Sequence, residues 1–359
     1  MRSMTSIEHF RALLSLPSPS GNEEMVAKHI KAVMDRDGYL LREDQKGNLL
    51  FHRGTSGRKN ILSAHMDVVP KAVHARVYET DDRFCTDGTT ALGADDKCAL
   101  AAMLSLADER QDCLFLFTVS EETGCEGSRE LSMDLFKGLD PGCCFIPDAE
   151  GATGGIITAA PGKNLITITI HGKAAHAGFA PENGINAIAV LSQVLVRLKL
   201  GRIDSGTTSN VGSFLAPGTT NNVPDRAVAE LEVRSVSEQK KREITESFAL
   251  TAKKTAKEAG ARAGITVRHA YQAYSLPENC RALREAEAAM REAGLIPERM
   301  TTTGGSDANN LRPLGIDAVT ITAGYYHPHS EKEYITKEEL RKLLCLLRLL
   351  SQPRPELLP

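Results

Sequence analysis

Four apolar runs in this chain each end in a histidine or a carboxylate, and that repetition narrows the folds open to it. Ile61–Leu62 leads to His65 and Asp67, and Leu114–Val119 leads to Glu121 and Glu122. Cys143–Ile146 leads to Asp148, and Ala318–Ala323 leads to His327 and His329. A fifth segment, Gly93-Ala94-Asp95-Asp96, opens the helical stretch Lys97–Glu109. Short strand-like runs that alternate with helical periods predict a largely parallel sheet with helices on its faces. In open sheets of that kind, sites gather beyond the carboxyl ends of the strands and at helix N-termini. The five segments are therefore predicted to deliver their polar residues to one sheet edge.

The strand candidates of the first half are Asn48–His52, Ile61–His65, Leu114–Ser120 and Cys143–Pro147. Ser20-Gly-Asn-Glu23 reads as a capping box that opens a helix through about Asp35, and a second helix is predicted over Ser128–Phe136. After Pro161-Gly162 the pattern changes to strand 164–171, helix 184–199, strands 207–213 and 227–235, helix 237–259 and strand 264–271. That βαββαβ order is the split plait of a small α+β domain. A helix at about 280–293, the strand Ala318–Ala323 and an amphipathic helix over 337–350 return to the first pattern. The expected fold is thus α/β: a mixed, mostly parallel sheet flanked by helices, with an inserted βαββαβ α+β plait. The predicted bounds are 1–161 with 275–359 for the discontinuous α/β domain and 162–274 for the insertion. A chain of 359 residues is long enough for two cores.

The balance of charge narrows the partners. A net charge of -3 without a Lys/Arg stripe argues against a nucleic-acid partner, which requires a concentrated positive face. Glu8, His9 and Arg11 interrupt what a signal peptide would need as an unbroken apolar stretch. No run reaches the roughly 18 apolar residues of a membrane span, so a cytoplasmic protein without a membrane partner is expected. The eight cysteines form no C-x-x-C pair and read as buried, reduced thiols of a reducing compartment.

Each polar segment has an ordinary explanation when taken alone. A His or Asp after a strand is commonly a turn residue, and Glu121-Glu122 could be a solvated loop pair. Asp95-Asp96 could simply complement the dipole of the following helix. Together they resist that reading. Asp95, Glu121, Glu122 and Asp148 in one pocket would repel one another unless positive charge lay between them. Two divalent cations would supply it, and imidazoles with carboxylates are suitable zinc ligands.

The stretches His65-Met-Asp67, Gly93-Ala-Asp95-Asp96-Lys97, Glu121-Glu122-Thr-Gly124, Asp148 and His329-Ser-Glu-Lys-Glu333 run in a known order. The chain resembles the dizinc exopeptidases and aminoacylases, and specifically the peptidase T-like branch. The resemblance implies that Asp95 bridges two divalent ions, with zinc first and cobalt or manganese as alternatives. It implies His65 and Asp148 at one ion and Glu122 and His329 at the other, with a cis Asp95–Asp96 peptide bond. Asp67 would hold the tautomer of His65. Glu121 would be the general base for a water shared by the ions. His327 is the alternative to His329, whose distance from Glu333 matches the family's H-x-x-x-E spacing.

The resemblance implies that the discontinuous domain is the metal-binding catalytic one and the insertion a lid or dimerisation domain, whose His176 stabilises the oxyanion in the partner subunit's site of a homodimer. It matches Asn221, or its neighbour Asn222, to a substrate contact, and Arg234 to a residue that grips a substrate carboxylate. A surface ion pair is the plain alternative for Arg234. The loop Thr303-Gly304-Gly305-Ser306-Asp307 would present backbone N–H groups at Gly305 to substrate, or would cap a helix through Ser306 or Asp307. Gly-Ala-Asp-Asp-Lys resembles peptidase T, whereas Asn-Asn-Val-Pro-Asp resembles glutamate carboxypeptidases and aminoacylases. The implied activity is cleavage of short peptides by a metal-dependent exopeptidase of the aminopeptidase kind. The alternatives are deacylation of N-acyl amino acids and a non-catalytic metal-binding relative.

Overall fold

The computed structural model describes residues 4–354. By its internal contacts the chain forms two compact units. One comprises Met1–Ala159, Ser275–Thr302 and Ser306–Pro359; the other comprises Ala160–Tyr274 with Thr303–Gly305.

The first unit is built on a mixed sheet. Strands Leu114–Thr118, Arg58–His65, Asp140–Ala149 and Ala318–Thr322 lie side by side and parallel. Leu49–His52 and Leu40–Glu43 extend one side antiparallel, and Gly155–Ala160 joins the other side antiparallel. Every residue of Leu114–Thr118 is buried, as in strands covered on both faces. Helix Ala94–Asp108 is buried from Ala94 to Ala107, which accounts for its small-residue run Cys-Ala-Leu-Ala-Ala. It packs on strands Arg58–His65 and Asp140–Ala149 beneath helices Ser6–Leu14, Glu24–Arg36 and Lys337–Leu350.

The second unit is an antiparallel sheet in the order Gly201–Asp204, Thr207–Leu215, Arg226–Ser235, Gly162–His171, Arg262–Tyr271. Burial alternates residue by residue along Gly162–His171, so Ile166, Ile168 and Ile170 turn to one face. Helices Ala187–Arg197 and Glu238–Glu258 cover that face.

Several local expectations differ from what forms. In place of a helix over 128–136 there is one turn, Glu126–Arg129, and a 3-10 turn, Met133–Phe136. Ser20 and Glu23 do not make a capping box, because their side chains are engaged elsewhere. A four-stranded sheet of Tyr325–Tyr326, Tyr334–Thr336, Arg83–Thr86 and Val77–Glu79 has strands too short to show as periodicity. Gly201–Asp204 is likewise an edge strand beyond the six elements of the plait.

Phe117 is fully buried in the parallel sheet, its ring edge-on to Phe51 at 5.9 Å between centroids. Phe117→Ala should destabilise the protein by about 3–5 kcal/mol. Urea unfolding followed by tryptophan-free signals, such as far-ultraviolet dichroism, would show a lower midpoint with an unchanged slope.

Candidate dinuclear metal centre

The parallel strands end at one edge, and their last residues converge there. His65 closes its strand and is buried, with Nδ1 3.0 Å from the main-chain oxygen of Asp67 and 3.3 Å from its carboxylate. With Nδ1 engaged by Asp67, Nε2 faces inward, 3.2 Å from Asp95 and 3.8 Å from Asp148, and a ring that gave up its Nε2 proton would present a lone pair there. The carbonyl of Asp67 is therefore the closer partner, and its side chain has a wider task. Asp67 accepts from the N–H groups of Glu121 and Glu122 at 3.0 and 3.1 Å, and from the Ser20 hydroxyl at 2.6 Å. One carboxylate thus ties the histidine to the loop that carries both glutamates.

Asp95 faces a second imidazole as well. His329 Nε2 lies 3.3 Å from Asp95 Oδ2 and 3.0 Å from Glu122 Oε2. Two donor groups result, His65–Asp95–Asp148 and Asp95–Glu122–His329, each with donor atoms within 4.8 Å of one another. Asp95 is common to both. The Asp95–Asp96 peptide bond is cis, as the resemblance implies. His327 stands apart, with its N–H on Glu150 at 2.8 Å and its ring exposed.

The electrostatics are those of acids crowded out of water. Burial, together with the charges of Glu121 and Asp95, pushes Asp148 well above the usual carboxylate range. Burial raises Glu121 to about 8, and the neighbouring Glu122 adds to the effect. Hydrogen bonds to Asp95 and then Glu122 lift His329 to about 10. Burial alone would lower His65, yet its bonds to Asp67 and Asp95 hold it well above normal. Buried Glu122 Oε1 has no hydrogen-bond partner among the described residues. Clustered carboxylates, inward-facing imidazole nitrogens and a spare oxygen form a donor set that suits two divalent cations. A donor spread of that size is about twice a zinc–ligand bond.

Three residues beyond the expected set hold the arrangement. Glu333 accepts from the N–H groups of Leu92, Gly93, Ala94 and Asp95 at 2.7, 2.9, 2.8 and 3.2 Å. These four successive amides lie in the turn ahead of the helix proper, since Asp95 and Asp96 have non-helical backbone, and together they form a concavity that suits a carboxylate. Glu23 accepts from Ser120 N–H at 3.0 Å and from Gly21 N–H at 2.8 Å, bracing the start of the Glu121 loop. Ser20 completes the set through Asp67. Sequence carried a trace of each: Ser20 and Glu23 mimic a capping box, and Glu333 appears only as a spacing mark after His329.

Within the second unit, His176 sits on a two-residue ribbon opposite Asn222, next to Asn221. Its Nδ1 accepts from the N–H groups of Gly178 and Phe179, both at 3.1 Å, so the neutral ring carries its proton on an exposed Nε2. The ring stacks on Phe179 at 4.1 Å. The Asn221 side chain accepts from the Thr219 hydroxyl at 2.7 Å. Arg234 forms a forked pair with Glu232 at 2.9 and 3.2 Å. At Gly305 a Cβ would collide with the Tyr271 ring, so packing alone requires glycine there. In the first unit, Ser306 accepts from Ala308 N–H at 3.3 Å, whereas Asp307 turns to the Thr118 hydroxyl at 2.5 Å and makes no cap.

Residues 159–260 match the M20 peptidase dimerisation domain. The uncharacterised protein YqjE of Bacillus subtilis is 31% identical over 353 residues, which cover 94% of each chain. Among solved structures, a tripeptidase from Staphylococcus aureus is 29% identical with a TM-score of 0.86, over 98% of both chains. The aminopeptidase PepT from Bacillus cereus is 30% identical with a TM-score of 0.81, again over 98% of both chains. With such likeness running from end to end, and with a site shaped for two cations, the chain belongs to the M20 peptidase family, alongside its PepT members.

Proposed function

We propose that the chain is a metal-dependent exopeptidase that hydrolyses the amide bond of short peptides. The observation that carries this reading is Asp95, shared between two imidazole–carboxylate groups, with Glu121 beside them and outside both. Tripeptidase and PepT relatives of nearly full coverage support peptides as substrates over N-acyl amino acids. Imidazole with carboxylate favours zinc at both positions, and cobalt or manganese would suit the same donors. His65 and Asp148 would hold one ion, Glu122 and His329 the other, with Asp95 between them.

Bound there, two divalent ions supply Lewis acidity to the scissile carbonyl and make an attacking water more acidic. Glu121 takes the proton from that water and returns it to the leaving nitrogen, one carboxylate serving both directions. Asp67 fixes the His65 ring and the Glu121–Glu122 backbone at once, so base and ligands keep one geometry. His176, with its proton held on Nε2, is suited to donate to the developing oxyanion from a partner subunit in a homodimer. Asn221 and the Gly305 loop are assigned to substrate contact. Arg234 is assigned to the substrate carboxylate, an engagement that requires it to exchange Glu232 for the ligand. No helix is long and apolar enough to cross a membrane among the described residues, in keeping with the cytoplasmic location we assign.

Two outcomes test this function. Glu121→Gln should keep both metals, measured by elemental analysis, while kcat on a tripeptide falls by about a hundred- to ten-thousand-fold. Retained turnover would remove the base. The second concerns protons. His65 and His329 are both raised, so without metal they hold protons at neutral pH that ligation must expel. Metal affinity should therefore rise with pH up to about 10, the value to which His329 is lifted. Zinc titrations of the metal-free protein in buffers of different ionisation enthalpy should show proton release, and uptake indifferent to pH would contradict the donor set.

A further inference from the structure

The loop after strand Leu114–Thr118 is clamped at both ends of a tight return. The N–H groups of Gly124 and Cys125 both reach the Glu121 carbonyl, at 2.8 and 2.7 Å. Glu126 N–H returns to the Ser120 carbonyl and Gly127 N–H to the Val119 carbonyl, each at 3.0 Å. Asn310 Nδ2 anchors the Cys125 carbonyl from another segment at 3.0 Å. Cys125 itself adopts φ 54, ψ 43, a left-handed conformation that residues with a Cβ seldom take. Its side chain is thereby carried back over the loop, where Sγ lies 3.0 Å from Glu121 Oε1.

We propose that Cys125 is a positioning residue for the reaction: its thiol donates to Glu121 Oε1 and aims the other oxygen at the attacking water. The inference rests on the hydrolase reading above and adds a residue that the mechanism does not otherwise use. Cys125 is only 1% exposed, so its thiol meets Glu121 from the protein side and not from bulk water. A buried thiol among carboxylates stays protonated, because burial and the charges of Glu121 and Asp307 all oppose a thiolate. It therefore remains a donor over the working pH range. A carboxylate with one oxygen tied loses its freedom to rotate, and the free oxygen points one way.

The test uses the full-length, metal-loaded protein. Cys125→Ala removes the donor and Cys125→Ser restores one. In the alanine variant kcat on a tripeptide should fall by about five- to tenfold, with KM within about twofold and metal content unchanged. The serine variant should recover kcat to within about twofold. Infrared difference spectra between wild type and Cys125→Ser isolate the S–H stretch of this thiol. That band should be shifted to low frequency and should move upward in Glu121→Gln, whose neutral amide is a weaker acceptor. An alanine variant with wild-type kcat, or a band indifferent to Glu121→Gln, would overturn the proposal. If the wild type cleaves no peptide at all, the assigned function fails, while the infrared band still decides whether the thiol serves Glu121.

Discussion

Asp95, Glu122 and Asp148 stand around two imidazoles at the end of a parallel sheet, largely out of water. Carboxylates that close cannot all be ionised in such a place without positive charge nearby, and the imidazoles alone supply too little of it. Two cations would resolve the conflict. Much of the rest of the first unit holds these groups in place. Strand ends, a helix start and two loops each contribute one or two candidate ligands, so no single element contains the site.

The supports are anionic too. Glu333, Asp67 and Glu23 each bind backbone N–H groups, and between them they fix the start of helix Ala94–Asp108 and the Glu121 loop. An N–H donor offers partial positive charge at a fixed position and cannot leave with a ligand. Glu333 shows what that achieves: four amides converge on it, and burial still raises it to about 7. Such a residue links the helix bearing Asp95 to the loop bearing His329, two segments more than two hundred positions apart in sequence.

The sequence exposed what depends on pattern and concealed what depends on a single contact. The parallel strands read as apolar runs because both faces are covered, and the plait read as alternation because one face is. The shared position of Asp95 followed from ordered motifs. The division of labour at Ser20 and Glu23 did not. Their spacing satisfies a helix cap, yet tertiary partners, Asp67 and Ser120, claim both side chains. His327 and His329 share residue type and left-handed backbone, and in the sequence only the distance of His329 from Glu333 sets them apart. Short strands such as Tyr334–Thr336 carry no period to detect, so the small sheet around them emerged only from its pairings.

Cationic side chains would be poor supports at this centre. An arginine near Asp95 or Glu122 would neutralise the charge that draws the ions and would occupy oxygens they need. Lys97 shows how a nearby ammonium is kept from doing so. It is buried two residues after Asp95, yet its Nζ donates to the Leu16 carbonyl at 2.7 Å. Burial pulls its pKa down to about 8, so it is a weaker electrostatic competitor than an exposed lysine. Lys97 thus leaves the candidate ligands to the ions they would hold, and the backbone is held by acids that accept N–H bonds. A centre arranged in this way gains rigidity from the same kind of group that gives it affinity, without adding fixed positive charge that would lower it.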